Sequence, residues 1–343
     1  MTRRTVLSIA AAAPALFAAK PIRAAVYGIG HAHAMGKITA LRTLPQFEFV
    51  GVCEPDTTRQ RTHKALEGVR WLTQRELLDD TSIELIVVES RVGENLTYAS
   101  QAIHAGKFVH LDKAPGTSLS GLRGLFVEAN RRKRTVQIGY QWRYHPAMQA
   151  ALEAARKGWL GDVYSFRARI DKPTPSDDRR TLAAFRGGMM FELGCHLIDR
   201  ATDLLGKPTR ATGYLWHHSR ENDALADNTL AILEYPRATA EISVAAMDPD
   251  GNSHRTIEIA GTNGSVTVRP FSPYRLLSDL RGAAGPYPSG VRETGFPSDR
   301  LPAFSPDLLE MARIIREGIT PSYSPAHDLM TQEVLLKVCH ELP

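Results

Sequence analysis

Residues 187–199 read GGMMFELGCHLID, an apolar run carrying three groups able to move protons or bind ions: Glu192, His196 and Asp199. They fall at i, i+4 and i+7, so a continuous helix would present all three on one face. An imidazole between two carboxylates admits three readings: a satisfied core histidine, a metal site, or proton transfer beside a bound substrate. The last suits a side chain whose pKa lies near working pH. Cys195 would point about a quarter-turn away from His196 on such a helix, so it is not read as a nucleophile.

Two further stretches carry chemistry. In YGIGHAHA (27–34), Gly28 and Gly30 follow an apolar strand and precede a helix, where backbone N–H groups can approach a pyrophosphate at the helix N-terminus. His33 stands where the usual third glycine would be. Glu54 closes the next strand 24 residues beyond Gly30, at the place where an acid binds the ribose hydroxyls of NAD and repels a 2′-phosphate. Arg59 and Arg61 nearby would admit NADP, so NAD is favoured over NADP without being fixed. His31 and His33 have no third donor spaced with them, so turn and helix-start roles are expected and no metal. In HLDKAPG (110–116), Lys113 ends another strand, at the sheet edge where open α/β folds bind ligands. Taken alone, a lysine there reads as a solvated strand end, and Pro115 stiffens the chain beyond it.

Short apolar strands must position these groups. IRAAVY, FEFVGVC, IELIVVES, FVHL and TVQIG alternate with helical stretches through about residue 144, which predicts a parallel, doubly wound sheet. Beyond 145 a helix, a polar segment over 171–180 expected to be mobile or substrate-facing, and several alternating strands predict a mostly antiparallel sheet with helices on one face. The expected fold class is α/β: a Rossmann domain over 22–144 and a second α/β domain over 145–343 whose last helices may return to the first. The 343 residues, 43% of them apolar, suffice for about two domains. Forty-two Lys and Arg are interspersed with 37 Asp and Glu, which argues against nucleic-acid binding despite a net charge of +5. Three distant cysteines form no disulfide framework or zinc cluster.

Residues 1–19 pair Arg3-Arg4 with a short Ala-rich apolar stretch interrupted by Pro14. This pattern predicts a twin-arginine export signal, hence a periplasmic or secreted protein, with a cytoplasmic one the alternative. The stretch is too short to span a bilayer stably.

Taken in order, the glycine turn, the acid after the second strand, AGKFVHLDKAPG, GYQWRYHPA, GGMMFELGCHLIDRATDLLG and the C-terminal HDLMTQEVLLKV resemble the glucose-fructose oxidoreductase, inositol dehydrogenase and MocA family from about residue 22 to 343. The resemblance implies a Rossmann domain followed by a domain whose open sheet often forms the oligomer interface, so a homo-oligomer is expected. It places the family's lysine on Lys113 and its acid and histidine on Glu192 and His196. In that assignment His196 accepts the substrate hydroxyl proton, Glu192 orients it or binds a neighbouring hydroxyl, and Lys113 stabilises the developing oxyanion. Asp112, Ala114 and Glu192 depart from the family's Glu, Pro and Asp. Asp199 is either an orienter of His196 or a salt-bridge partner on the helix. The expected cofactor-binding set is Gly28, Ile29, Gly30, His31, His33, Glu54, Ser90, Asn95, Asp112 and Lys113. Trp142, Arg143, Tyr144 and His145 offer a flat apolar surface with donors, as a sugar or cyclitol needs. Arg179, Arg180, His217 and His218 are read as solvated surface groups. Export would deny the enzyme a nicotinamide pool, so the cofactor is expected to stay bound through turnover. The alternatives are an NAD-dependent glycosidase working by transient oxidation, and a non-catalytic, nucleotide-responsive regulatory protein.

Overall fold

The computed structural model describes residues 20–342 apart from 61–62, 270 and 298–300. The export-signal segment and Arg61 lie outside the described residues. Five strands, β1 (Ile22–Tyr27), β2 (Phe47–Cys53), β3 (Leu85–Val88), β4 (Phe108–Leu111) and β5 (Val136–Ile138), form a parallel sheet in the order β2-β1-β3-β4-β5. Four helices link them: α1 (Ala34–Thr43), α2 (Gln74–Asp79), α3 (Val92–His104) and α4 (Leu119–Arg131). The strands read as unbroken apolar runs because both faces are covered. Ala24 and Val26 of β1 pack with α1, whereas Ala25 and Tyr27 point to the α3 and α4 side.

A short 3₁₀ turn, Gln141–Tyr144, leads into the second domain. There α5 (Pro146–Arg156), β6 (Val163–Asp171), α6 (Ser176–Leu182) and α7 (Cys195–Leu205) are followed by β7 (Arg210–Trp216), β8 (Asn228–Glu234), β9 (Thr239–Ala245), α8 (Gly251–His254), β10 (Thr256–Gly261), β11 (Gly264–Val268), β12 (Arg275–Leu280) and β13 (Gly290–Gly295). The eight strands lie in the order β13-β12-β11-β10-β6-β9-β8-β7, antiparallel except for the β6–β9 pair. The inner face packs beneath α5 and α7. The outer face carries Tyr214, Trp216, Leu277 and Val291, all exposed.

The chain then returns to the first domain. Leu308, Met311 and Ile314 of α9 (Ser305–Glu317) join the cluster around α1, and α10 (Pro325–Val338) packs on α7 and α4. Gln332 Nε2 donates to the Gly116 carbonyl at 2.6 Å, tying α10 to the turn after β4.

The 171–180 segment differs from expectation. It contains most of α6, and Arg179 is 3% exposed, not solvated: its guanidinium donates to Asp223 at 2.6 Å and to Asp227 at 2.9 Å. Two carboxylates remote in sequence compensate the burial of this charge. No helix among the described residues is long and apolar enough to cross a membrane.

Candidate active site

Between β1 and α1 the chain turns on Gly28, whose φ of +80° a side chain rarely adopts. A Cβ on Gly28 would stand 2.6 Å from Ser90 Cβ, and one on Gly30 would stand 2.7 Å from the Arg91 nitrogen. Glycine is therefore what lets the first turn pack on the turn after β3. Helix α1 begins with neither a side-chain cap nor an acid in its first turn, and Gly30 and Ala32 are exposed beside it. The approach to this helix end is therefore open, and its positive dipole end suits a pyrophosphate.

Glu54 takes a different place from the one expected. Its side chain is wholly buried, and it accepts hydrogen bonds from the Ile29 N–H at 2.8 Å and the Asp56 N–H at 2.9 Å. It braces the glycine turn, and the acid left exposed there is Asp56. Arg59 donates to both oxygens of Glu94, at 2.7 and 2.8 Å, and lies 3.1 Å from Asp56. The acids Asp56 and Glu94 thus stand beside two arginines: Arg59, ion-paired with both, and Arg91, exposed at the start of α3 against Gly30. Ser90 and Asn95 also differ from direct cofactor ligands. The Ser90 hydroxyl donates to Asn95 Oδ1 at 2.7 Å, and the Asn95 amide reaches the Ala114 carbonyl at 3.3 Å, a buried strut between two strand-end turns.

Lys113 is 0% exposed, so it is not a solvated strand end. Its Nζ donates to Glu192 Oε1 at 2.7 Å and to the Glu192 carbonyl at 2.8 Å. Burial alone would lower the lysine pKa, but the Glu192 carboxylate raises it above the usual range. Burial alone would likewise raise Glu192, which Lys113 and His31 hold well down. An ammonium has three donors, and two are accounted for. One remains for a ligand.

The helix that carries Glu192 and His196 is irregular. Met190–Gly194 forms a wide π turn before α7 begins at Cys195, and π turns recur at functional sites. The turn sends the Glu192 carboxylate to Lys113 and His31, and no hydrogen bond joins it to His196 among the described residues. The expected orientation of His196 by Glu192 is therefore corrected. His196 is instead held by rings: it stacks on Trp142 with centroids 4.6 Å apart and meets Tyr140 edge-on at 5.9 Å. Burial, reinforced by the Lys113 charge, pushes its pKa well below normal, so the ring is neutral. Its Nδ1 is buried without a partner. Asp199 pairs with Arg143 at 2.7 Å, Arg200 at 2.5 Å and His327 at 3.0 Å, which makes it the salt-bridge partner of the two readings.

Three of the four expected substrate contacts are also engaged by the scaffold. Arg143 is buried between Asp199 and Asp328 and stacks over Tyr323 at 4.0 Å. Tyr144 donates to Glu310 and accepts from Gln137 at 3.1 Å. His145 contacts the Phe271 carbonyl through Nε2 at 2.8 Å and accepts the Met148 N–H at the start of α5. Each partner is remote or in the next helix, and burial required a partner in every case. Trp142, Tyr144 and His145 nonetheless line a cleft, a cavity of about 320 Å³ bordered also by Gln141, Arg255, Phe271 and Phe304, whereas Arg143 does not. Arg255 was not singled out by sequence, because an arginine preceding a strand reads as solvated. Its Nε is buried without a partner, and its guanidinium lies 5.9 Å from the Trp142 ring.

His31 and His33 turn toward Asp112. His31 Nδ1 lies 2.5 Å from Asp112 Oδ2, His33 Nδ1 lies 3.0 Å from Oδ1, and His31 Nε2 stands 3.4 Å from Glu192 Oε1. Glu89, at the end of β3, was also missed. It is fully buried beside them, and burial together with Asp112 pushes its carboxyl well up.

A parallel sheet whose first turn leaves a helix N-terminus open, with a buried lysine and a neutral histidine beyond it, defines a dinucleotide-dependent oxidoreductase. Residues 22–140 match the model of the oxidoreductase family with an NAD-binding Rossmann fold, and residues 148–267 match the GFO/IDH/MocA C-terminal domain. The chain belongs to the glucose-fructose oxidoreductase, inositol dehydrogenase and MocA family, and it is an NAD(P)-dependent oxidoreductase. It is 24% identical over 263 residues to the dTDP-3,4-didehydro-2,6-dideoxy-alpha-D-glucose 3-reductase of Actinomadura kijaniata, covering 74% of this chain and 77% of that one. Its fold is similar to GenD2 from gentamicin A biosynthesis, solved with NAD (TM-score 0.77, 23% identity, 94% of each chain). It is similar too to KijD10, a 3-ketoreductase from Actinomadura kijaniata solved with NADP and TDP-benzene (TM-score 0.77, 20% identity, 92% of this chain and 96% of that one).

Proposed function

We propose that the protein transfers hydride between a secondary hydroxyl carbon of a sugar or cyclitol and a nicotinamide that stays bound through turnover, outside the cytoplasm. The observation that supports this most is the pairing of a buried, charged Lys113 having one unused donor with a buried, neutral His196 lacking a polar partner. Bound nicotinamide supplies the hydride acceptor or donor. The glycine turn and the open start of α1 fit its pyrophosphate, and the Asp56 and Glu94 carboxylates favour NAD over NADP by repulsion of a 2′-phosphate. His196, uncharged, takes the hydroxyl proton as the carbon is oxidised. The free Lys113 proton donates to the same oxygen and stabilises its developing charge in a water-poor site. Glu192 fixes the direction in which that ammonium points. Trp142 offers its face to the apolar side of the ring, and Arg255 offers a donor to its rim or to an anionic substituent.

The export-signal pattern supports the extracytoplasmic placement and, with it, a retained cofactor. The exposed apolar residues of the outer sheet face support a homo-oligomer built on that sheet. The test is a panel of sugars and cyclitols incubated with the purified full chain while nicotinamide absorbance is followed. A substrate should reduce the bound cofactor, and Lys113→Ala and His196→Ala should slow the change by about 100-fold or more. Equal activity in both variants would leave the regulatory alternative standing.

A further inference from the structure

His31 and His33 in the turn after β1, Glu89 at the end of β3 and Asp112 at the end of β4 come from three neighbouring strands. One ligand atom from each lies within 4.8 Å of all the others. Glu89 is 0% and Asp112 1% exposed, and both Glu89 oxygens are buried without a hydrogen-bond partner. Asp112 Oδ2 is 2.5 Å from His31 Nδ1 yet lacks hydrogen-bond alignment. Two imidazoles and two carboxylates therefore point at one spot without completing a hydrogen-bond network. Buried polar groups in that state call for an absent partner.

We propose that His31, His33, Glu89 and Asp112 ligate a divalent first-row transition ion at the rim of the active site. Two nitrogen donors disfavour magnesium and calcium, which prefer oxygen shells, and suit zinc, manganese or ferrous iron. The surroundings fit as well. With His31 ligating through Nδ1, its Nε2 faces Glu192 Oε1 at 3.4 Å, the carboxylate contact that orients a metal-bound imidazole. Of the buried ammonium groups around it, Lys37 is engaged by Asp307 and His110, and Lys113 by Glu192. The site does not depend on the redox reading, and no part of its test measures turnover.

Untagged full-length protein, stripped with a chelator and titrated with Co²⁺, gives the readout. Wild type should bind one ion per chain saturably and develop d–d absorption bands that Zn²⁺ displaces. Glu89→Gln keeps the shape of the buried side chain and removes its charge. It should retain the wild-type circular-dichroism spectrum and bind Co²⁺ about 100-fold more weakly or not at all. His33→Ala, half-buried and easier to accommodate, should do the same. Absence of saturable binding by wild type, or undiminished binding by the folded Glu89→Gln and His33→Ala variants, would overturn the proposal.

Discussion

At the scale of single residues, what each buried group can do depends on how many donors and acceptors it has left. Lys113 directs two of its N–H donors at Glu192 and has one left, so Lys113→Ala should lower kcat by about 100- to 1000-fold, the usual cost of one oxyanion donor. Steady-state kinetics on the first substrate found will show it. His196 makes a different prediction, through pH. Its folded pKa is depressed, so the ring remains a competent base below the ordinary histidine value of about 6.5. The acid limb of kcat/KM for oxidation should therefore lie below that pH, and a limb centred at or above it would argue for another base. The same shift has a thermodynamic sign. Below about pH 6.5 the unfolded His196 binds a proton that the folded one does not, so its contribution favours unfolding increasingly as pH falls.

At the scale of elements, the 3₁₀ turn, α7 and α10 are pinned together by Arg143, Asp199 and Asp328. Removing the cation from this buried cluster strips Asp328 of its ion-pair partner and leaves Asp199 to Arg200 and His327. Arg143→Met should cost about 3–5 kcal/mol in chemical denaturation while leaving KM unchanged for the folded fraction. A raised KM at unchanged stability would return Arg143 to the substrate cleft. This cluster also marks how far the sequence could be read. The Rossmann strands were legible because parallel strands covered on both faces are continuous apolar runs, and Gly28 and Gly30 were legible because only a turn explains them there. Arg143 was misread because its partners lie 56 and 185 residues away. Helical spacing put Glu192 and His196 on one face, but it could not reveal the π turn that swings the carboxylate to Lys113. Glu89 was invisible for a simpler reason: its neighbours His31, His33 and Asp112 meet it only once β1, β3 and β4 lie side by side.

At the scale of the molecule, the two sheets serve different ends. The parallel sheet gathers chemistry at the carboxyl ends of its strands, whereas the antiparallel sheet exposes Tyr214, Trp216, Leu277 and Val291 away from the cleft. A second copy covering that face would bury them, so the double variant Tyr214→Asp, Trp216→Glu should run as a monomer in light scattering where wild type runs as an oligomer. A wild-type monomer would remove this role from the sheet. Cofactor retention belongs to the same scale, because the proposed export would require the enzyme to arrive loaded. Native mass spectrometry of the untreated, full-length protein tests it most directly. The account predicts a folded chain heavier by one NAD, which survives extensive dialysis and is released only on unfolding. A chain that emerges at its bare mass and binds added nicotinamide dinucleotides weakly and reversibly, or not at all, would contradict it.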